Sequence, residues 1–215
     1  MASPAPPQPV PPQPVPPKST FGPGVSDDPI ETHPHITSVL PYVDEATAPP
    51  AIQAAFNLIP FRRHILELFA IADGQFPPVA ELLASFFSSQ TRELSALEWL
   101  EIAMYTAVLC GSPYVFKINS QIALAENIQP EKLILIQFGQ FENTNFWTTR
   151  ERTLLKCVEM LVKTHTVSDA FLATLKASFT PREIVEVVVM VGVYAMNSYL
   201  GNLARIDFDA DEGPQ

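Results

Sequence analysis

Proline placement constrains this chain more than any other feature. Fifteen of its 22 prolines fall within the first 50 of 215 residues, and Pro6-Pro7-Gln8-Pro9-Val10 repeats at once as Pro11-Pro12-Gln13-Pro14-Val15. Proline fixes φ and has no N–H to donate, so such a tract cannot join a helix or a sheet ladder. Residues 1–38 are therefore expected to form a disordered, polyproline-II-like tail, open to use as a ligand for a proline-binding domain. Beyond residue 50 proline changes its role. Pro60, Pro77-Pro78, Pro113, Pro130 and Pro181 stand at breaks or in first helical turns, where the missing N–H is an unpaired one anyway.

Between these marks the apolar residues recur at helical spacing, as with Phe61, Ile65, Leu68, Phe69 and Ala72. The pattern predicts helices over 51–58, 61–72, 79–87, 96–109, 114–126, 130–138, 150–164 and 169–177, and a long one from 181 to about 205. Ser95 with Glu98 and Thr180 with Glu183 read as capping boxes, in which side chain and backbone satisfy each other's orphan donors. Thr148 or Thr149 and Ser168 read as further caps. The run Val185, Val187, Val188, Val189, Val191 and Val193 has the propensity of a buried strand. Its length and its cap favour instead a helix packed on all sides. The expected architecture is all-α, with a domain over 39–208 and a flexible acidic tail over 209–215.

Composition narrows the partners. The chain is 47% hydrophobic and only 17% charged, with 23 acidic against 13 basic residues and a net charge of −10. Nucleic acid and anionic membrane surfaces are bound through clustered Lys and Arg, and the longest basic run here is Arg62-Arg63-His64. Neither partner is expected. Cys110 and Cys157 lie in separate apolar segments without a CxxC or a Cys/His metal spacing, so free thiols and no bound metal are expected. The most apolar stretch, Val187 to Met196, is too short to cross a bilayer, and no basic-then-apolar leader opens the chain. A soluble, cytoplasmic protein is the reading.

Three stretches resemble the carboxymuconolactone decarboxylase and alkylhydroperoxidase D superfamily. They are Leu94-Ser95-Ala96-Leu97-Glu98 with Gly111-Ser112-Pro113-Tyr114; Thr149-Arg150-Glu151-Arg152-Thr153-Leu154-Leu155 with Thr166-Val167-Ser168-Asp169; and Phe179-Thr180-Pro181-Arg182-Glu183 with Gly192-Val193-Tyr194. Their order and spacing carry the resemblance over residues 40–206. It implies an alkylhydroperoxidase D-like helical bundle, commonly a homo-oligomer, with a small-molecule pocket between helices. The redox members carry Cys-x-x-Cys-x-x-x-His. Aligned on the Gly-Ser-x-Tyr turn, those places hold Ser112, Val115 and Asn119, and the upstream acid falls at Leu100, beside Glu101. A thiol peroxidase needs a low-pKa thiolate and a resolving thiol, so the resemblance does not extend to that chemistry.

Candidate catalytic residues follow from that alignment. Asn119, at the histidine place, reads as a substrate-polarising amide or a solvated helix residue; it cannot titrate. Tyr114 offers a phenol to a carbonyl, or plain packing. Glu101 is either solvated or, if its face turns inward, a buried carboxylate with raised pKa. His64 is the histidine nearest the turn. Candidate substrate contacts are Ser112 (or a helix cap), Phe116, Tyr105 (one turn from Glu101), Cys110, and Tyr194 with Asn197, two polar groups in an apolar helix that need partners. The implied function is a cofactor-free lyase or isomerase, decarboxylase-like, acting on an apolar oxygenated small molecule, with a look of fungal secondary metabolism. The alternative is a non-catalytic small-molecule-binding or oligomeric scaffold protein of the same fold.

Overall fold

The computed structural model describes residues 38–209, so the proline-rich tail and most of the acidic tail lie outside the described residues. A short 3-10 turn, Glu45–Thr47, precedes nine α-helices: α1 Pro50–Phe56, α2 His64–Phe69, α3 Phe76–Phe87, α4 Ala96–Leu109, α5 Pro113–Ala125, α6 Pro130–Gln137, α7 Thr149–Thr164, α8 Asp169–Ser178 and α9 Pro181–Ala204. No strand occurs among the described residues. Boundaries fall within a residue or two of the sequence reading where a cap or a proline marks them, except at α3, which begins at Phe76, three residues before the expected start. They depart most at α2, where residues 61–63 are extended or turn and the helix begins at His64.

The bundle is organised about α4. Nine consecutive residues, Trp99 to Ala107, are buried, and α5, α6, α7 and α9 all pack against it. Helices α4, α7 and α9 start at one end of the molecule, each with an observed capping box: Ser95 with Glu98, Thr148 with Glu151, and Thr180 with Glu183. Arg150 ties the three starts together. Its Nε donates to Glu98 Oε1 at 2.6 Å and its Nη2 to Glu183 Oε1 at 2.5 Å, so both glutamates serve a cap and a salt bridge. The guanidinium also lies 4.0 Å above the Phe179 ring. A planar cation suits such a forked, stacked position better than a lysine would.

The valine-rich helix departs from the expectation. Helix α9 is not packed on all sides: Val187, Met190, Val191, Val193, Tyr194 and Asn197 face the core, while Val185, Val188, Val189, Tyr199 and Leu203 are exposed. At 24 residues, and with a mean hydropathy of 1.6 over its most apolar 18-residue window, α9 is long and apolar enough by composition to span a bilayer, unlike the ten-residue stretch within it. Here it lies against α4, α5 and α7 as a core helix. The helix buried all round is α4.

Removing a cap that serves both α9 and its neighbour should be costly for a surface residue. The Thr180 hydroxyl accepts from Glu183 N and donates to Glu93 Oε2 at 3.1 Å. Thr180→Ala is expected to lower unfolding free energy by about 1 kcal/mol, read as a lower urea midpoint at unchanged slope.

Candidate functional site

The turn between α4 and α5 is made by Gly111, whose φ of +63° belongs to the left-handed region that a side chain resists. It sends the chain back so that Ser112 occupies the N-cap position of α5. The expected cap does not form: the Ser112 hydroxyl makes no capping bond. The side chain is buried at 2% exposure, and its Oγ has no partner among the described residues. It faces α9 at Gly201, where an added Cβ would lie 3.9 Å from Ser112 Oγ and 3.3 Å from Ile206 Cγ2. Glycine there leaves room for Ile206 to fold back against α9.

Ser112, Val115 and Asn119 lie along one side of α5, three, four and seven residues apart, and all three are buried. Asn119 is therefore not a solvated helix residue. Its Nδ2 donates to Val115 O at 2.8 Å, within its own helix. On the same face of α9 as Gly201 and one turn before it, Asn197 is buried with its Oδ1 unpartnered. Ser198 and Tyr194 are satisfied instead: Ser198 Oγ donates to Tyr194 O at 2.7 Å, and Trp99 Nε1 donates to Tyr194 Oη at 2.6 Å. Of the two polar groups on the inner face of α9, Tyr194 thus has a helix–helix hydrogen bond and Asn197 has an open acceptor. Phe116 is half-buried beside this face.

Tyr114 and His64 are brought together by the segment that follows α9, of which Asp209 alone is assigned on sequence to the tail. After α9 the chain runs through Ile206 to Asp209 and folds over the starts of α2 and α5. Tyr114 Oη donates to Asp209 Oδ2 at 2.8 Å and accepts from Ile65 N at 3.3 Å, while His64 N donates to Asp209 Oδ1 at 2.7 Å. Asp209 is thus anchored in the fold and not part of a free tail. The His64 ring stacks on Tyr42 at 4.5 Å, with Nδ1 3.6 Å from Asp209 Oδ1 and 3.7 Å from Asp207 Oδ2. Tyr42 Oη donates to Asp207 Oδ1 in a short bond. Burial and the Asp209 carboxylate both push the Tyr114 phenol upward, so it stays protonated. Its proton is held by Asp209, not free for a carbonyl. Asp207 and Asp209 escaped the sequence reading because acidic residues beyond a helix stop look like solvated chain, and Tyr42 because nothing local links it to a carboxylate 165 residues later.

Glu101 and Tyr105 form a third place, on the opposite flank of α4. Glu101 is not solvated: it is 0% exposed. Lys132 Nζ, from α6, donates to its Oε1 at 3.2 Å, donates to Glu151 in a short bond, and sits 4.5 Å over the Trp147 ring. Glu101 Oε2 has no partner among the described residues. Burial raises the Glu101 carboxyl to about 8, against the pull of Lys132. Tyr105 packs edge-on against Phe141 at 4.8 Å, and burial raises its phenol too. Glu101 and Tyr105 thus share a face, but that face looks toward α6 and α7, away from Ser112 and Asn119. The family's upstream acid place, Leu100, is fully buried hydrocarbon.

Cys110 ends α4, half-buried, with its thiol pushed up by burial; Cys157 is buried and pushed up to about 11. Both are free thiols, and Asn202 Nδ2 donates to Cys110 O at 3.0 Å. Among the described residues no group of His, Cys, Asp and Glu is arranged to hold a metal ion.

The buried carboxyl makes a pH prediction. Glu101 titrates near 4.3 when unfolded and at about 8 when folded, so the native state holds more protons between those values. Stability must fall as pH rises through that window. Glu101→Gln is expected to flatten the decline and to be more stable than the parent at pH 8, measured by urea denaturation across pH 5–9.

No family model matches the sequence, and no curated protein does. Solved structures do. An uncharacterized peroxidase-related protein from Silicibacter sp. superposes with a TM-score of 0.69 at 16% identity, covering 84% of this chain and 96% of that one. The debrominase Bmp8 gives 0.68 at 12% identity over 82% and 95%. A protein of unknown function from Agrobacterium tumefaciens, related in its description to the antioxidant defence protein AhpD, gives 0.58 at 19% over 66% and 97%. Identities this low speak to architecture, and on that ground the chain carries the alkylhydroperoxidase D-like fold.

Proposed function

We propose that the facing sides of α5 and α9, where Ser112 and Asn197 leave buried polar atoms unpaired, part to bind an apolar, oxygenated small molecule, on which the protein acts as a cofactor-free lyase or isomerase. The observation that carries this reading is the pair of buried, unpartnered atoms on these two helices, Ser112 Oγ and Asn197 Oδ1. A buried polar atom left unpaired costs about 1–3 kcal/mol. Two of them on facing helices are accounted for by an occupant that supplies a donor to Asn197 and a hydrogen-bonding oxygen to Ser112. A hydroxylated carbonyl compound has both, and the surrounding Val115 and Phe116 suit its apolar part. One neighbour of this fold, the debrominase, was crystallised with 2,3,4-tribromopyrrole, a small and apolar ring in keeping with this size class.

The chemistry open to such a site is orientation and polarisation. Decarboxylation beside a carbonyl needs that carbonyl polarised and one proton returned to the carbon that carbon dioxide leaves; dehydration needs a proton taken from carbon and one given to the departing hydroxyl; lactone opening adds water across the acyl C–O bond. Protons can be moved only at the end of these helix faces, where Ile206 leads from Ser112 to Asp207 and Asp209 and so to His64. In this reading Asp209 holds Tyr114 and His64 in register, and Asn119 fixes the wall through its bond to Val115. A second reading, a binding protein without turnover, is favoured by one observation: Ser112, Asn119 and Asn197 are all uncharged, and the Tyr114 proton is already taken by Asp209.

Residues kept for function rather than for stability have a signature. Ser112→Ala removes an unsatisfied buried hydroxyl, so it is expected to leave the melting temperature unchanged or raise it. The same change should weaken binding of the co-purifying small molecule about tenfold, the equivalent of about 1.4 kcal/mol, measured by native mass spectrometry. A destabilised variant that retains ligand as well as the parent would contradict the assignment. Turnover of that ligand, abolished in His64→Ala and retained in Glu101→Gln, separates enzyme from binder.

A further inference from the structure

The end of α3 and the start of α9 leave a cleft of about 360 Å³ between them. Its deepest residues are apolar: Phe86 of α3 is 4% exposed and Met190 of α9 is 1%. Leu82, Val185 and Val189 stand around them, three of the large apolar side chains that the described residues expose. Leu82 with Phe86, and Val185 with Val189, are one helical turn apart, so each wall is a helix face. The volume is that of a small-molecule site. At 1.5 Å per residue the cleft lies about 16–24 Å along α9 from Gly201, where α9 meets Ser112. It is a separate place, and nothing argued for it rests on the reading given to Ser112 and Asn197.

The charged residues of the cleft are Arg92, Arg182 and Glu186. Two of them neutralise each other. Arg182 Nε donates to Glu186 Oε1 at 3.2 Å and its Nη2 to Thr91 O at 2.9 Å, while its Nη1 lies 3.3 Å from Glu93 Oε1. Glu186 Oε2 also accepts from the backbone N–H groups of Glu93 at 2.9 Å and Leu94 at 3.1 Å. Arg92 has no such partner. Its Nη1 donates to Leu94 O at 2.6 Å, and its Cζ lies 5.5 Å from the centre of the Trp99 ring. Its Nε is buried without an acceptor among the described residues. Glu126, Glu186 and Glu98 act on it only from beyond ion-pairing distance, and burial pulls its pKa down. The guanidinium nevertheless stays charged at neutral pH, so a cation is held half out of water with no counterion.

Such a cation beside an apolar cavity selects the ligand. The Nε–Nη2 edge of a guanidinium is one that a carboxylate meets with two parallel hydrogen bonds. Phe86, Met190 and the valines call for a hydrocarbon body. One uncompensated positive charge matches one negative charge. A phosphate monoester carries close to two and would set the surplus against Glu186. We propose that the cleft between α3 and α9 binds an apolar monocarboxylate, its hydrocarbon against Phe86 and Met190 and its carboxylate on Arg92. Rotation of the Arg92 side chain turns the buried edge toward the cleft that it already lines. The net charge of −10 does not steer anions to the protein, so the selection for a carboxylate comes from this one guanidinium.

The test is isothermal titration calorimetry of the full chain with decanoate at pH 7. One site per chain is expected, with a micromolar dissociation constant. Decanol, the same tail without the charge, should bind at least tenfold more weakly, and so should decyl phosphate. Arg92→Gln should weaken decanoate binding at least tenfold. Arg152→Gln, which removes another arginine with a buried, unpartnered Nε but from α7, should leave it unaltered. Val189→Glu, at a rim position 37% exposed, should match the loss in Arg92→Gln without touching the guanidinium, with helical circular dichroism unchanged. A parent that does not bind decanoate, decanol or decyl phosphate binding as tightly as decanoate, or parental affinity in Arg92→Gln or Val189→Glu overturns the proposal.

Discussion

A helix buried on every side sets the terms for everything around it. Helix α4 presents Trp99 to Ala107 to other helices without a break, so α5, α6, α7 and α9 must each supply a complementary face. It must also bury its own polar residues. Glu101 cannot reach water, and the fold responds by bringing Lys132 from α6 and by letting burial hold the carboxyl largely protonated at neutral pH. Trp99 sends its indole N–H to Tyr194. Even the ends are shared: the glutamate that caps α4 and the one that caps α9 both bind Arg150 of α7, fixing three helix starts at one level. With the starts of α4 and α9 level, the Gly111 turn lies at the far end of the bundle, against the C-terminal half of α9. That is why Ser112 faces Gly201.

The site is a consequence of that geometry. At the start and along the inner side of α5 this chain places a hydroxyl, a valine and an amide, Ser112, Val115 and Asn119, all buried. The buried faces of α5 and α9 there carry Ser112, Val115, Asn119 and Asn197, none of them charged. Proton-transfer groups enter only at the end of these faces, where the chain after α9 folds back. Asp209 is the hinge of this arrangement. One carboxylate accepts from the Tyr114 phenol and from the backbone N–H of His64, joining α2, α5 and the C-terminal segment.

How much of this was legible in the residues depended on whether the signal was local. Capping boxes and first-turn prolines act within four residues, and Ser95, Thr180, Pro113 and Pro130 placed α4, α5, α6 and α9 almost to the residue. Burial depends on partners distant in sequence, and there the pattern misled. The valines of α9 suggested a helix enclosed all round, whereas Val185, Val188 and Val189 point outward. Trp99 to Ala107 are the residues buried without a break, a glutamate and a threonine among them. Asn119 and Glu101 each admitted a solvated reading that only the packing of α5 and α4 could decide. Asp209 was read as tail because nothing local shows that Tyr114, 95 residues earlier, waits for its carboxylate. The unpartnered atoms of Ser112 and Asn197 are likewise visible only once two helices are set side by side.

The central claim is that these two atoms face a place meant to be occupied. A crystal structure of the full-length protein, purified without added ligand and refined well enough to show ordered solvent, tests it most directly. The account predicts density for a small organic molecule between α5 and α9, within hydrogen-bonding distance of Ser112 Oγ and Asn197 Oδ1. Side chains packed closed between the helices, with the two atoms paired to each other or turned to protein partners, would contradict it.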